Sequence, residues 1–255
     1  MKEKKPLEAL RSQLPLLVFA LLAAGIWEIG PPLAGMPHYI IPRLSDVLVA
    51  LWEDRLVLLR HFGVTLWESV LGLALSALLG VLTAVWIDLS RLAERTVFPV
   101  IVASQTIPIV AISPIMVMWF GYELGSKVAV VMLFTFFPIA VNTSAGFRGA
   151  DPDTGDLLRT MGASKPQLFL KWKLPSAMPG FFTGLKLGAA ISVGGATLGE
   201  WLGGQSGLGM YTKRASNMLS GDAVFAGVLL LSFMGIGLFV IVWWIECMLL
   251  AHRRA

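Results

Sequence analysis

Six apolar blocks, each close to the length that crosses a bilayer, constrain this chain more than any other feature. They cover residues 14–33, 62–87, 97–120, 127–145, 181–200 and 223–250. A hydrocarbon core ~30 Å thick takes ~20 helical residues, and longer blocks tilt or project beyond it. Hydrocarbon offers the backbone no hydrogen-bond partner, so each block must satisfy its own amides, as a helix does. The expected fold is all-α and polytopic, with six transmembrane helices forming a membrane domain over residues 14–250 and short tails at 1–13 and 251–255. Composition agrees. Hydrophobic residues make up 56% of the 255, charged residues 14%, and mean hydropathy is +0.75, more apolar surface than one soluble core consumes. The first block follows a basic start, as a signal peptide does, but its small-residue candidate at Ala23-Ala24-Gly25 lies inside the apolar run and five more blocks follow. It is read as a helix that stays. The block at 181–200 is rich in Gly and Ala, and a closely packed spanning helix is expected there in preference to a re-entrant loop.

An even number of spans puts both ends on one side. With the termini cytoplasmic, 13 Lys and Arg residues fall on inside segments and six outside, while Lys186 snorkels from the inner end of the fifth span. A net charge of +4 therefore reflects topology, not a nucleic-acid stripe. The single Cys247 has no ligand neighbours and excludes a disulfide framework. Glu28, Glu68, Glu200 and Glu246 fall near span ends, where headgroup water is in reach, and are read as structural or topological. Beyond Pro42, the repeat of Leu44, Leu48, Leu51, Trp52 and Leu59 predicts either an interfacial helix with that face against the bundle or the outer leaflet, or a surface loop helix. Gly72, Ser76 and Gly80, and again Gly184 and Gly188, have the four-residue spacing that permits close helix contact.

The segment 146–180, between the fourth and fifth spans, is far longer than a bare connection requires. Asp153 is expected to cap a short helix with Asp156 three residues on, and Gly162 to end it in a left-handed conformation. Ser164 and Gln167 have capping-box spacing, with Pro166 in a first turn that tolerates it. Leu157, Leu158 and Met161 give the first helix an apolar side, and Leu168, Phe169 and Trp172 the second. Such a module is a docking element or a helix pair lying on the inner leaflet.

Asp156, Gly162, Leu174 and Pro175 resemble the cytoplasmic signature of permease subunits of bacterial ABC importers, in which a Glu-Ala-Ala triplet begins six residues before a Gly and Ile-x-Leu-Pro closes the motif. Here the triplet is Asp156, Leu157 and Leu158, Ala163 follows the Gly, and Trp172 stands in the Ile place. Gln105-Thr-Ile-Pro108, Trp119-Phe-Gly121, Phe137-Pro138, Gly199-Glu200-Trp201 and Gly207-Leu-Gly209 are similar, in that order, to the nitrate, sulfonate and taurine branch, and look most like thiamine-precursor (pyrimidine) or riboflavin uptake permeases.

The resemblance implies a type I importer permease, in the bacterial inner membrane, that couples through Asp156, Leu157, Leu158, Gly162, Ala163, Trp172, Leu174 and Pro175. Its implied partners are a cytoplasmic ABC ATPase dimer, a second permease chain, expected to be identical, and an extracytoplasmic substrate-binding protein. No phosphate-loop sequence occurs here, so ATP and Mg belong to the ATPase and this chain is expected to hold no cofactor, no metal and no catalytic residue. A thiamine pyrimidine precursor is the expected substrate; riboflavin, sulfonate and nitrate are alternatives. Gln105, Thr106 and Asn142 are candidates to line the pathway, against simple hydrogen bonding between helices. Other classes fit less well. An ion-coupled secondary transporter would show an internal repeat or a midplane ion site. A membrane enzyme would need a cluster that His38, His61 and His252 do not make.

Overall fold

The structure is a computed structural model that describes residues 6–250, with the side chains of 6–13 and 16 left aside; the tail at 251–255, with His252, lies outside the described residues, as do residues 1–5. The described residues form helices only: α1 (Pro6–Leu33), α2 (Leu44–Glu53), α3 (Arg55–Leu89), α4 (Arg91–Ser104), α5 (Ile109–Phe120), α6 (Leu124–Arg148), α7 (Pro152–Thr160), α8 (Lys165–Leu168), a π-helical turn (Phe169–Lys173), α9 (Leu174–Gly203), α10 (Leu208–Asn217) and α11 (Gly221–Leu250). Among the described residues four helices are long and apolar enough to cross a membrane: α3, α6, α11 and the run Lys165–Gly203 that ends as α9. The block at 181–200 is thus part of an unbroken helix, as expected.

The expected single span over 97–120 takes another form. It is two helices, α4 and α5, bent by 100° where they meet. Pro108 supplies no N–H and pushes Ile107 out of the helical region, so residues 105–107 close in tight turns, with the N–H groups of Gln105, Thr106 and Ile107 donating to Val102, Ala103 and Ser104.

The chain divides into two compact units. The first comprises residues 1–59 and 211–229. Its centre is Val47, Ala50 and Ala226, with Trp27, Leu51 and Phe225 packed around them. The Glu28 carboxylate accepts from the Ser45 N–H (2.9 Å) and hydroxyl (2.8 Å), which ties α1 to the start of α2. The inward face of α2 is therefore Val47, Ala50 and Leu51, while Leu48 and Trp52 of the same repeat are exposed, as a leaflet-facing side would be. The period of the repeat gives the helix, but not which side packs inward, because every position of α2 but a few is apolar. Arg55 lies over the Trp52 ring at 4.6 Å.

The second unit, residues 60–210 and 230–255, is built around α6. A Cβ on Gly72 would lie 2.4 Å from Val131, and one on Gly80 2.9 Å from Ile139, so α3 runs alongside α6 in the same direction. The Thr135 hydroxyl donates to Ser76 Oγ (2.7 Å) between them. On the other side Gly199 meets Lys127, Gly195 meets Val131, Gly184 meets Pro138 and Gly180 meets Asn142, a ladder that fixes α9 antiparallel to α6. The small residues let backbones approach, and dispersion between them replaces the hydrophobic drive that lipid does not supply. Since α3 and α6 are parallel, α4 and α5 together must carry the chain back from one end of the unit to the other, a fifth passage. The face turned away from this core is apolar and exposed, as at Leu78, Leu82, Phe233, Ile236 and Trp244. Such a surface is what a face turned to lipid or to a partner chain presents.

Candidate coupling site and pathway residues

Residues 149–173 gather at one end of the second unit, where α3 and α6 finish and α9 begins. Asp151, not Asp153, starts α7. Its carboxylate accepts from the N–H groups of Asp153 and Thr154 (3.2 Å each) and from the Thr154 hydroxyl (2.6 Å), and Pro152 at the first position fixes the backbone angle that the helix needs. The Thr154 hydroxyl, then those two amides, hold this carboxyl below the ordinary aspartate range. Asp156 forms an exposed ion pair with Arg159. Gly162 has φ +81°, the left-handed conformation expected at the end of α7. The Ser164 N–H donates to Gln167 Oε1 at 2.8 Å, as the capping-box spacing predicts.

One residue shapes this module that sequence reasoning passed over. Gly155 is buried, and a Cβ there would meet the six-membered ring of Trp172 at 2.4 Å, so α7 lies flat against that indole. A Gly inside a short helix costs ~1 kcal/mol relative to Ala, and this was the available signal that something approaches closely. Phe169 stacks on Phe147 with ring centres 5.8 Å apart, and Lys173 reaches Asp88 at 2.6 Å, so the π-helical turn is bound to the ends of both α6 and α3. With Leu174 and Phe169 packed against Ala84, Phe147 and Ala177, the turn passes directly into α9. Trp172 thus packs α7 against the π-helical turn, which continues into α9 with no loop between them.

The predicted apolar sides divide. Trp172 is buried and Leu158, Phe169, Leu174 and Pro175 are partly so, whereas Leu157 (61% exposed), Met161 (74%) and Leu170 (59%) face outward. Gly162 is exposed and Ala163 half-buried beside it. A cavity of about 330 Å³ opens beside the module, lined by Asp88, Arg91, Arg148, Trp172 and Lys173 among others.

The pathway candidates are not joined to one another by any hydrogen bond among the described residues. Gln105 and Thr106 are exposed on the bend between α4 and α5, where the Thr106 hydroxyl donates to Ala103 O at 2.7 Å. Asn142 is half-buried in α6 and its amide donates within the same helix, to Pro138 O at 2.8 Å. The charged residues expected near headgroup water are mostly buried: Glu246 pairs with Lys186 at 2.6 Å, which replaces the predicted snorkelling, and Glu68 and Glu200 lie inside the unit with Lys127.

Comparison with known proteins brings these features together. Residues 76–248 match the family described as binding-protein-dependent transport system inner membrane component. The chain is 40% identical to the formylaminopyrimidine transport permease ThiX of Halalkalibacterium halodurans, over 94% of this chain and 96% of that one. It is 31% identical to the riboflavin transport system permease RibX of Chloroflexus aurantiacus, over 92% and 88% of the two chains. Identity to a putative aliphatic sulfonates transport permease SsuC of Bacillus subtilis is 28%, over 86% and 80%.

Proposed function

Because the chain belongs to the binding-protein-dependent transport system inner membrane component family, and so is a transport permease subunit of an ATP-driven importer of a small polar solute, we propose that its solute is a thiamine pyrimidine precursor of the formylaminopyrimidine type. The observation that carries this reading is the 40% identity with the formylaminopyrimidine permease along nearly the whole of both chains. Riboflavin is the second reading, supported by the 31% identical relative.

Family membership implies an ATPase and a substrate-binding protein. The finer reading is a pair of identical permease chains, each crossing six times with α1 as the first span and both termini cytoplasmic, on two ATPase subunits that bind ATP and Mg. The residues that meet the ATPase are Leu157, Met161 and Leu170, which present exposed apolar surface, together with Asp156, Leu158, Gly162 and Ala163 around them. Trp172, Leu174 and Pro175 take up the motion behind that surface. An exposed apolar side on a short, well-capped helix has no reason to persist in water, and a partner that buries it supplies one. Gln105, Thr106 and Asn142 stand as pathway candidates of lesser support, since two of their three side chains already bond within their own segments.

The test is reconstitution with the ATPase and substrate-binding protein that the family implies. Hydrolysis stimulated by binding protein loaded with formylaminopyrimidine, but not with riboflavin or a sulfonate, is the expected result. Gly162→Trp should leave membrane insertion intact and reduce co-purifying ATPase or stimulated hydrolysis about tenfold, because the left-handed backbone and the adjoining surface are both lost. Normal hydrolysis and normal co-purification in that variant would remove the segment from the ATPase contact. Stimulation by riboflavin alone would replace the substrate.

A further inference from the structure

The cavity beside residues 149–173 belongs neither to the proposed pathway nor to the surface proposed to meet the ATPase. It encloses about 330 Å³, within the roughly 300–1,000 Å³ that small-ligand sites span, and lies wholly in the second unit. Its walls come from the last turns of α3 and α6, the first turn of α4, the approach to α7 and the π-helical turn. Leu157, Met161 and Leu170, the exposed apolar surface of the module, lie outside its lining.

Its charges do not cancel. Lys173 Nζ donates to both oxygens of Asp88, at 2.6 and 2.8 Å, so that pair is closed on itself. Arg91, Glu94 and Arg148 remain in the lining, and among the described residues none of the three takes part in an ion pair. The Arg148 guanidinium is held instead over the Phe98 ring of α4 at 4.1 Å, a contact that consumes none of its N–H donors. Two guanidinium groups against one carboxylate leave a positive surplus. The planar donor fork of arginine matches the oxygens of carboxylate and phosphate.

The wall also carries two polar groups whose bonding is unmet. Trp172 Nε1 and Ser144 Oγ are buried without a hydrogen-bond partner, and both residues line the cavity. An indole N–H can only donate, and a hydroxyl can donate, so the group that both lack is an acceptor. Depth narrows the chemistry further. Asp88 is the last residue but one of α3 and Arg148 the last of α6, and both helices are long and apolar enough to cross a membrane. A basic pocket between the ends of spanning helices lies where lipid phosphates lie.

We infer that this cavity binds a phosphate oxyanion, held by Arg91 and Arg148 with Trp172 and Ser144 as the donors in its wall, and carried either by an anionic phospholipid or by a soluble phosphate. Glu94 opposes it and sets a limit on its affinity. The site joins the ends of α3 and α6 to the start of α4 and to the indole on which α7 rests, so occupancy stabilises that arrangement by binding the folded chain alone.

The full-length chain in a maltoside detergent, with no ATPase or binding protein present, tests the site separately from the transport reading. Thermal unfolding is followed in phosphate-free buffer against added inorganic phosphate and, in a second series, against phosphatidylglycerol with phosphatidylcholine as the control. A saturable rise in unfolding temperature with inorganic phosphate supports the site and assigns a soluble ligand; a rise with phosphatidylglycerol alone supports it and assigns a lipid headgroup. Arg91→Gln combined with Arg148→Gln should move the midpoint of that response to about tenfold higher concentration or more, and Glu94→Gln should lower it about threefold, opposite signs that a general loss of stability does not produce. A rise that never saturates is the general salting effect of phosphate and counts as no response. No saturable response to either probe, or a midpoint unmoved by the double arginine change, overturns the site. Should the double variant not accumulate, Glu94→Gln decides: a midpoint that is unchanged or higher overturns it.

Discussion

Gly155 and Trp172 show how a departure from a family pattern is accommodated at the scale of single residues. The triplet at Asp156, Leu157 and Leu158 has large side chains where the related signature has alanines, and Trp172 is larger than the Ile it replaces. The space comes from the residue just before the triplet, since Gly155 leaves the indole room against the α7 backbone. Even Ala at position 155 would place a methyl 2.4 Å from that ring. Gly155→Ala is therefore expected to lower substrate-stimulated hydrolysis in the assembled importer, and Trp172→Ile in the same chain to restore part of it. The coupling between the two changes should be about 1–3 kcal/mol in a double-mutant cycle on ATPase affinity, because they share one contact. Additive losses would mean that the ring and the glycine act separately.

For whole helices, the four-residue spacing of small residues has two grades of consequence. At Gly72 the obstacle to a side chain is Val131, within 2.5 Å, and at Gly184 it is backbone, the Pro138 carbonyl at 2.6 Å. At Gly188 the nearest atom is the end of Leu73, 3.1 Å away, and a flexible side chain moves at small cost. Ala should thus be tolerated at 188 and harmful at 184, with Gly72→Ala between or near the latter, while Leu is harmful at all three. Overpacking of this kind costs about 1–3 kcal/mol for each added group that cannot be accommodated. Yield of folded protein in mild detergent, ranked across the six variants, checks this. Equal yields for Ala at 184 and 188 would show that the backbone of α6 yields as easily as a leucine tip.

Over the whole molecule, the buried pair of Lys186 on α9 and Glu246 on α11, 2.6 Å apart, joins two spanning helices near the end where α9 begins and α11 finishes. The Glu246 side chain is 8% exposed, so removing its partner leaves an uncompensated charge in a low-dielectric setting. Lys186→Met should destabilise the fold by about 3–5 kcal/mol, and Lys186→Met with Glu246→Leu should recover most of it, since an apolar pair of similar volume has no charge to desolvate. Thermal unfolding of the three proteins in one lipid composition reads this directly. If the double variant is no more stable than the single one, the pair is serving a purpose other than charge balance.

Helix content and the four long apolar helices follow from the sequence alone, because apolar length and turn chemistry are local properties. Gly162, Ser164 and Gln167 behave as their spacing indicates for the same reason. The glycine ladder was legible as a pattern, since close approach needs small residues at helical spacing, but which helix each faces was not. Three features needed the tertiary structure. In α2, nearly every position is apolar, so only the position of Ala226 selects Val47 and Ala50 as the inward face. In α4 and α5, the chain bends by 100° where a hydropathy window sees one continuous run, because hydropathy carries no record of missing amide hydrogens. Glu68 and Glu200 are 132 residues apart in sequence, and each alone looks like a residue near a membrane surface. Packing of α3, α6 and α9 around small residues buries both carboxyls in the second unit, a placement that no local pattern encodes.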